Sequence, residues 1–239
     1  MYKRIAVLLL LFGAAALHTK AQTNMQTNYL TPRQQDIAVV AAFAAQGDMA
    51  GLKPALHRSL DDSLTVNEIK QVLVQLYAYC GFPRSLNALG AFMEVIGERE
   101  KAGLPCPQGK EATPLPAGTD MLQRGTEVQT ELVGAPVKGG IMDFAPDIDL
   151  YLKAHLFGDI FARDNLDHVS REIATVGALS ALTGAESQLR AHLHIARNTG
   201  LTSEQLHEIA SVLKTHVGAQ TGNRTEEALK EIEGTPAGK

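Results

Sequence analysis

Two side chains in the C-terminal half have the types and placement for proton chemistry. His192 shares a helical face with Leu189 and Ala196. That sets an imidazole, the group that titrates nearest neutral pH, against apolar surface. It can serve there as acid and base for a reacting group, or as a core histidine with a satisfied hydrogen bond. Glu172 lies on the helical stretch before it. A partly buried carboxylate at that point can relay a proton to or from His192; the alternative is an ordinary ion pair with Arg171 or another base. Cys80 continues the stripe Ile69, Val72, Leu73, Leu76. A small buried hydrophobe is its simplest role, because a reactive thiolate needs a nearby cation or helix N-terminus. Arg84, Arg190 and Arg197 can clamp a carboxylated compound or carry solvated salt bridges. Tyr79 and Asn87 offer donors, or pack at helix ends.

Metal chemistry finds little support. His192 and His194 are two residues apart, which places them about 200° apart around a helix. Two cysteines in 239 residues cannot by themselves fill a four-ligand zinc site. No metal or cofactor is expected.

The positioning elements are helices. Val169, Ile173, Val176, Leu179 and Leu182 recur at spacings of three and four, and Gly184 follows as a stop. A second helix is predicted from about Glu186 to Asn198, closed by Gly200. Thr65 with Glu68, and Thr202 with Gln205, are capping-box pairs that start further helices. No run alternates as a half-buried strand does. The predicted fold is all-α.

The chain also repeats itself. Residues 47–81 and 184–218 match at an offset of 137 in 8 of 35 positions, including Leu52/Leu189, Leu56/Leu193, His57/His194 and Gly81/Gly218. About 2 would match by chance, so two tandem helical repeats are expected. We divide the chain into a first repeat at 22–100, a connector at 101–141 and a second repeat at 142–239. The connector holds Pro105, Pro107, Pro114, Pro116 and Pro136 among several glycines and shows little helical period. Its length suits a segment that drapes over the body or covers a site. A lead-in helix is expected over Asp147–Phe161, after Pro146.

Residues 1–21 read as a signal peptide. Lys3 and Arg4 precede a 13-residue apolar run, Ile5 to Leu17, which is short for a bilayer span. Thr19 and Ala21 are the small residues before the cleavage point. Loss of Lys3, Arg4 and Lys20 takes the formal charge from −4 to −7. The expected product is secreted or periplasmic and free of the membrane, in a compartment where Cys80 and Cys106 could pair. Its acidic balance, 22 Lys and Arg against 26 Asp and Glu, leaves no basic footprint for nucleic acid. An apolar share of 45% supports a packed core rather than disorder.

Leu64-Thr65, Glu68-Ile69, then Tyr79-Cys80-Gly81-Phe82-Pro83 and Asn87 resemble the carboxymuconolactone decarboxylase family. So do Arg171-Glu172, Leu189-Arg190-Ala191-His192, Ala196-Arg197-Asn198 and Gly200-Leu201-Thr202. The resemblance implies an all-α fold and ring assembly, here a homotrimer with pseudo-sixfold character. It implies catalytic roles for His192, Glu172 and Cys80, and substrate binding by Tyr79, Arg171, Arg190 and Asn87. One branch of that family removes CO2 from a carboxylated lactone; another is a thiol peroxidase using Cys-x-x-Cys near the family histidine. Here Gln188 and Ala185 precede His192 by four and seven residues, and Gly51 and Asp48 hold the matching first-repeat positions. The redox pair is absent. The Tyr-Cys-Gly-Phe-Pro motif stands only in the first repeat and the histidine only in the second, where the first has Ala55.

The expected function is therefore a carboxymuconolactone-decarboxylase-like enzyme acting by acid/base chemistry on a small carboxylated lactone or carbonyl compound. The alternatives are a peroxiredoxin-like thiol antioxidant and a non-catalytic oligomeric binding protein of the same fold. On this reading native material begins near Gln22; N-terminal sequencing that returns Met1 in a membrane-bound fraction would contradict it.

Overall fold

The computed structural model describes residues 29–62 and 64–234. The segment read as a signal peptide, 1–21, lies outside the described residues. Eleven α-helices and one π-helical stretch make up the regular structure, with no strand among the described residues. The all-α reading holds.

At the centre, α1 (Pro32–Gln46) packs on α8 (His168–Ala181). Both are buried nearly all round, over 36–45 in α1 and 170–180 in α8. The run Ile37 to Ala45 explains why: small and β-branched apolar side chains cover every face, and such a helix is stable only inside. Gly177 lets the two backbones meet. A Cβ there would stand 2.5 Å from the Ala38 carbonyl oxygen.

Around this pair lie α2 (Met49–Asp61), α3 (Val66–Gln75) and α4 (Tyr77–Lys101) on one side of the sequence, and α9 (Glu186–Asn198), α10 (Ser203–His216) and α11 (Ala219–Gly234) on the other. The bounds of α2 and α9 differ by 137 at both ends, and α3 and α10 begin 137 apart. Thr65/Glu68 and Thr202/Gln205 form the two capping boxes read from sequence. Within α4 the helix breaks at Gly81, φ 81° and ψ 158°, and restarts at Phe82, 137 residues before the start of α11. These registers are compatible with tandem repeats. One apolar core takes Ile37, Leu52 and Leu73 together with Ile173, Leu193 and Leu213.

The connector differs from its sequence reading. It contains a helix, α5 (Met121–Val133), capped by the Asp120 side chain and ended at Gly134. Its inward positions include Gly125 and Gln129 beside Leu132, so its apolar stripe is too weak to read. Gly125 is required by packing, since a Cβ there would run into the Lys153 carbonyl. The lead-in helix also departs from expectation. After the short α6 (Ile141–Phe144) and α7 (Pro146–Leu150), residues Tyr151–Phe161 form a π-helix. Leu156, Phe157, Ile160 and Phe161 on that stretch join Leu132 and Ile195 in a second apolar cluster.

The remainder of the connector is fastened to the body. Val66 and Asn67 donate backbone bonds to the Pro107 and Gln108 carbonyls. Buried Arg99 donates to the Pro105 and His57 carbonyls and to Asp61. Thr113 and Lys110 donate to Asp164. No described helix is long and apolar enough to cross a membrane.

The α1–α8 contact predicts opposite outcomes for two glycines. Gly177→Ala forces backbone apart and should lower stability by about 1–3 kcal/mol. Gly90→Ala, in α4 with nothing within 4 Å of the new methyl, should raise it by about 1 kcal/mol. Urea denaturation of both variants checks this; a harmless Gly177→Ala would contradict the packing account.

Candidate active site

Glu172 and His192 face each other across the α8–α9 hairpin. Glu172 is fully buried, because α8 is enclosed on all sides. His192 stands on the inward edge of α9 with a side chain 12% exposed. Its Nδ1 lies 2.8 Å from Glu172 Oε2. The ordinary pairing of Glu172 with Arg171 does not form: neighbours on a helix point about 100° apart, and the imidazole is the base that α9 brings within reach.

Tyr79 enters from the first half of the chain. It sits in the first turn of α4, before the Gly81 break, and its ring meets His192 edge-on, centroids 5.5 Å apart. It packs against both apolar clusters. Burial first, and then the nearby Glu172 carboxylate, push its phenol far above the usual tyrosine value. The Tyr79 hydroxyl and Glu172 Oε1 are both buried with no hydrogen-bond partner among the described residues. Native structures rarely leave such groups unpaired, and Thr175 is the side chain that eases the burial of the phenol.

Arg171 is also fully buried. It donates to Gln75 Oε1 and to the Arg163 carbonyl, each at 3.2 Å, and lies 6.0 Å from the Phe161 ring centre. It forms no salt bridge with a described carboxylate, and its Nε is unpartnered. Burial, followed by the charge of Arg163, lowers its guanidinium to about 10. Gln75 holds this corner together, donating to the Arg171 carbonyl and to Thr175 Oγ1, each at 2.8 Å. Sequence reasoning passed over Gln75. Its signal was a polar residue within the apolar stripe of α3.

The remaining candidates lie apart from this cluster. Cys80 follows Tyr79, but its Sγ donates to the Leu76 carbonyl at 3.1 Å, and burial raises its thiol despite the charge of Arg84. Cys80 and Cys106 are both free thiols, not the pair that an oxidising compartment suggested. Arg190 forms a 2.7 Å ion pair with Glu231, and Asn87 is exposed on α4; neither is drawn to His192. No group of three or more potential metal ligands occurs among the described residues. A cavity of about 590 Å³ lies against the connector between Ala112–Pro116 and Gly158–Asp164. It reaches the cluster only through Arg163, whose carbonyl Arg171 holds. Hydrogen-bonding geometry, not cavity size, singles out the Glu172–His192–Tyr79 group.

A buried carboxylate–imidazole pair at a hairpin of an all-helical bundle is an arrangement suited to proton transfer. Residues 146–231, which carry both members of the pair, match the carboxymuconolactone decarboxylase family. The chain is 27% identical over 114 residues to the 4-carboxymuconolactone decarboxylase of Acinetobacter baylyi, covering 46% of this chain and 84% of that protein. It is 29% identical over 70 residues to an uncharacterized protein of Methanocaldococcus jannaschii, covering 29% of this chain and 65% of the relative.

Tyr79 supplies a pH test. Its folded pKa is raised, so its contribution to stability is complete below the unfolded value of roughly 10 and is lost as pH climbs above it. The melting temperature should fall more steeply above that pH in the wild type than in Tyr79→Phe. Equal slopes would show that the phenol is not enclosed.

Proposed function

We propose that the chain is a carboxymuconolactone-decarboxylase-like enzyme that removes CO2 from a small carboxylated lactone or related carbonyl compound. The observation that carries this reading is the 2.8 Å contact between His192 Nδ1 and buried Glu172. A carboxylate there accepts from Nδ1–H and leaves Nε2 directed at the reacting group, the arrangement that orients and steadies an acid–base imidazole.

The chemistry follows from the groups present. As the carboxylate carbon leaves as CO2, its bonding electron pair passes into the framework conjugated with the lactone carbonyl, giving an enolate. His192, protonated, delivers its Nε2 proton to carbon and is recharged from solvent, so one proton is consumed per CO2 released. Glu172 acts as a positioning residue and stabilises the imidazolium. Arg171 contributes a buried positive charge without a carboxylate partner, favourable to an anionic substrate and to the developing enolate. The Tyr79 hydroxyl, kept protonated, is a donor for the same oxygen. The activity for which the Acinetobacter baylyi relative is named supports this substrate class.

The thiol-antioxidant reading draws less support, since Cys80 is a half-buried thiol whose pKa burial raises and no second cysteine stands in a Cys-x-x-Cys pair. We place the mature protein outside the cytoplasm, as a self-associating ring.

Assays of CO2 release from carboxylated lactones test the proposal. His192→Ala should lower kcat/KM by about 10²–10⁴-fold, and Glu172→Gln should do so less severely, with circular dichroism unchanged. Hydroperoxide turnover lost in Cys80→Ser, or lactone turnover unaffected by His192→Ala, would overturn it.

A further inference from the structure

The 137-residue register carries the site to a second place in the fold. Gln35 stands 137 residues before Glu172, Ala55 the same distance before His192, and His216 the same distance after Tyr79. The counterpart of the histidine is an alanine, Ala55. In the structure Gln35 and His216 line one cavity of about 170 Å³, and Asp36 and Arg58 line it with them.

These last two replace the carboxylate–imidazole pair with a carboxylate–guanidinium pair. Asp36 is 2% exposed. Its Oδ1 accepts from Arg58 Nε at 2.7 Å, while Oδ2 is buried with no partner among the described residues. Gln35 does not serve that oxygen, because its amide donates to the Leu30 carbonyl and to Glu208. Arg58 is more open, its side chain 40% exposed. Its two terminal nitrogens make no hydrogen bond to a described residue. The cavity thus sets an unpartnered acceptor beside the terminal nitrogens of Arg58, with the Asp62 carboxylate also on its lining. Val39 and Val212 give it an apolar wall. Its volume equals the liquid share of about six waters, room for a compound of similar heavy-atom count.

We propose that this cavity binds a small 2-hydroxy or 2-amino carboxylate. The ligand's hydroxyl or ammonium donates to Asp36 Oδ2, and its carboxylate accepts from the terminal nitrogens of Arg58. The site binds without turning its ligand over, since a guanidinium does not surrender its proton near neutral pH. Ligand donor and ligand anion sit on adjacent carbons, as Asp36 and Arg58 sit side by side.

Nuclear magnetic resonance titration of the full chain with lactate, alanine and propionate tests this. Lactate or alanine should shift amide resonances of residues 35–39, 58–62 and 212–216 saturably. Propionate, which lacks the donor, should need at least about tenfold more, the worth of one hydrogen bond to a charged group. Asp36→Asn puts an amide donor where the acceptor stood and should erase that preference; Arg58→Gln should weaken all three compounds. His192→Ala should leave the titration unchanged, which separates this site from the proposed catalytic one. Equal response to propionate and lactate in the wild type, or no saturable shift at those amides, would overturn the proposal whatever the variants do.

Discussion

The close packing of α1 on α8 is the constraint on which the rest depends. Two helices buried on every side can exist only as each other's solvent, and Gly177 against the Ala38 carbonyl sets how near they come. That contact fuses the two halves of the chain into one core. It also fixes the polar chemistry, because each central helix carries one fully enclosed carboxylate: Asp36 on α1 and Glu172 on α8. A carboxylate so placed cannot be left alone, since desolvation of an unpaired charge costs several kcal/mol. Each is met by a base from the helix that follows, Arg58 from α2 and His192 from α9. The second base is an imidazole and the first a guanidinium.

Half-satisfied pairs are a poor way to stabilise a bundle. Replacing both partners by apolar groups of the same shape would often stabilise more. In both pairs one carboxylate oxygen is left without a partner, Oδ2 of Asp36 and Oε1 of Glu172. Burial of the Tyr79 hydroxyl and of Arg171 Nε adds to the same cost. The same cost thus falls at two places, near but not at register-equivalent positions.

Much of this was legible in the sequence, for identifiable reasons. The bounds of α9 and both capping boxes follow from local rules: a side chain three residues from its backbone partner, and apolar residues at helical spacing. The nearness of Glu172 and His192 also follows, since two inward positions on consecutive antiparallel helices meet. Helix α5 escaped because its inner face is a glycine and a glutamine, chosen by the neighbouring backbone rather than by hydrophobicity. The π-helical stretch at Tyr151–Phe161 has the apolar pattern of an ordinary helix, and its wider backbone hydrogen bonding leaves no mark on that pattern. Arg190 and Asn87 carried the right chemistry but lie on faces whose direction depends on tertiary geometry. Asp36 and Arg58 were overlooked because the register pointed at Ala55, while the replacement base sits three residues further along α2.

The division of the cluster between the halves bears on what the family relationship means. The matched segment, 146–231, contains Glu172, His192 and Arg171. It does not contain Tyr79, whose ring abuts His192, or Gln75, which anchors the Arg171 backbone and side chain. The second half alone would therefore present a carboxylate–imidazole pair without its aromatic wall, and a buried arginine with fewer acceptors. A single-repeat protein must obtain such contacts from its own chain or from a second copy. Here the first half supplies them covalently, at fixed register. The counterpart positions in the first half are Gln35, Ala55 and His216, and the buried pair beside them is Asp36 with Arg58.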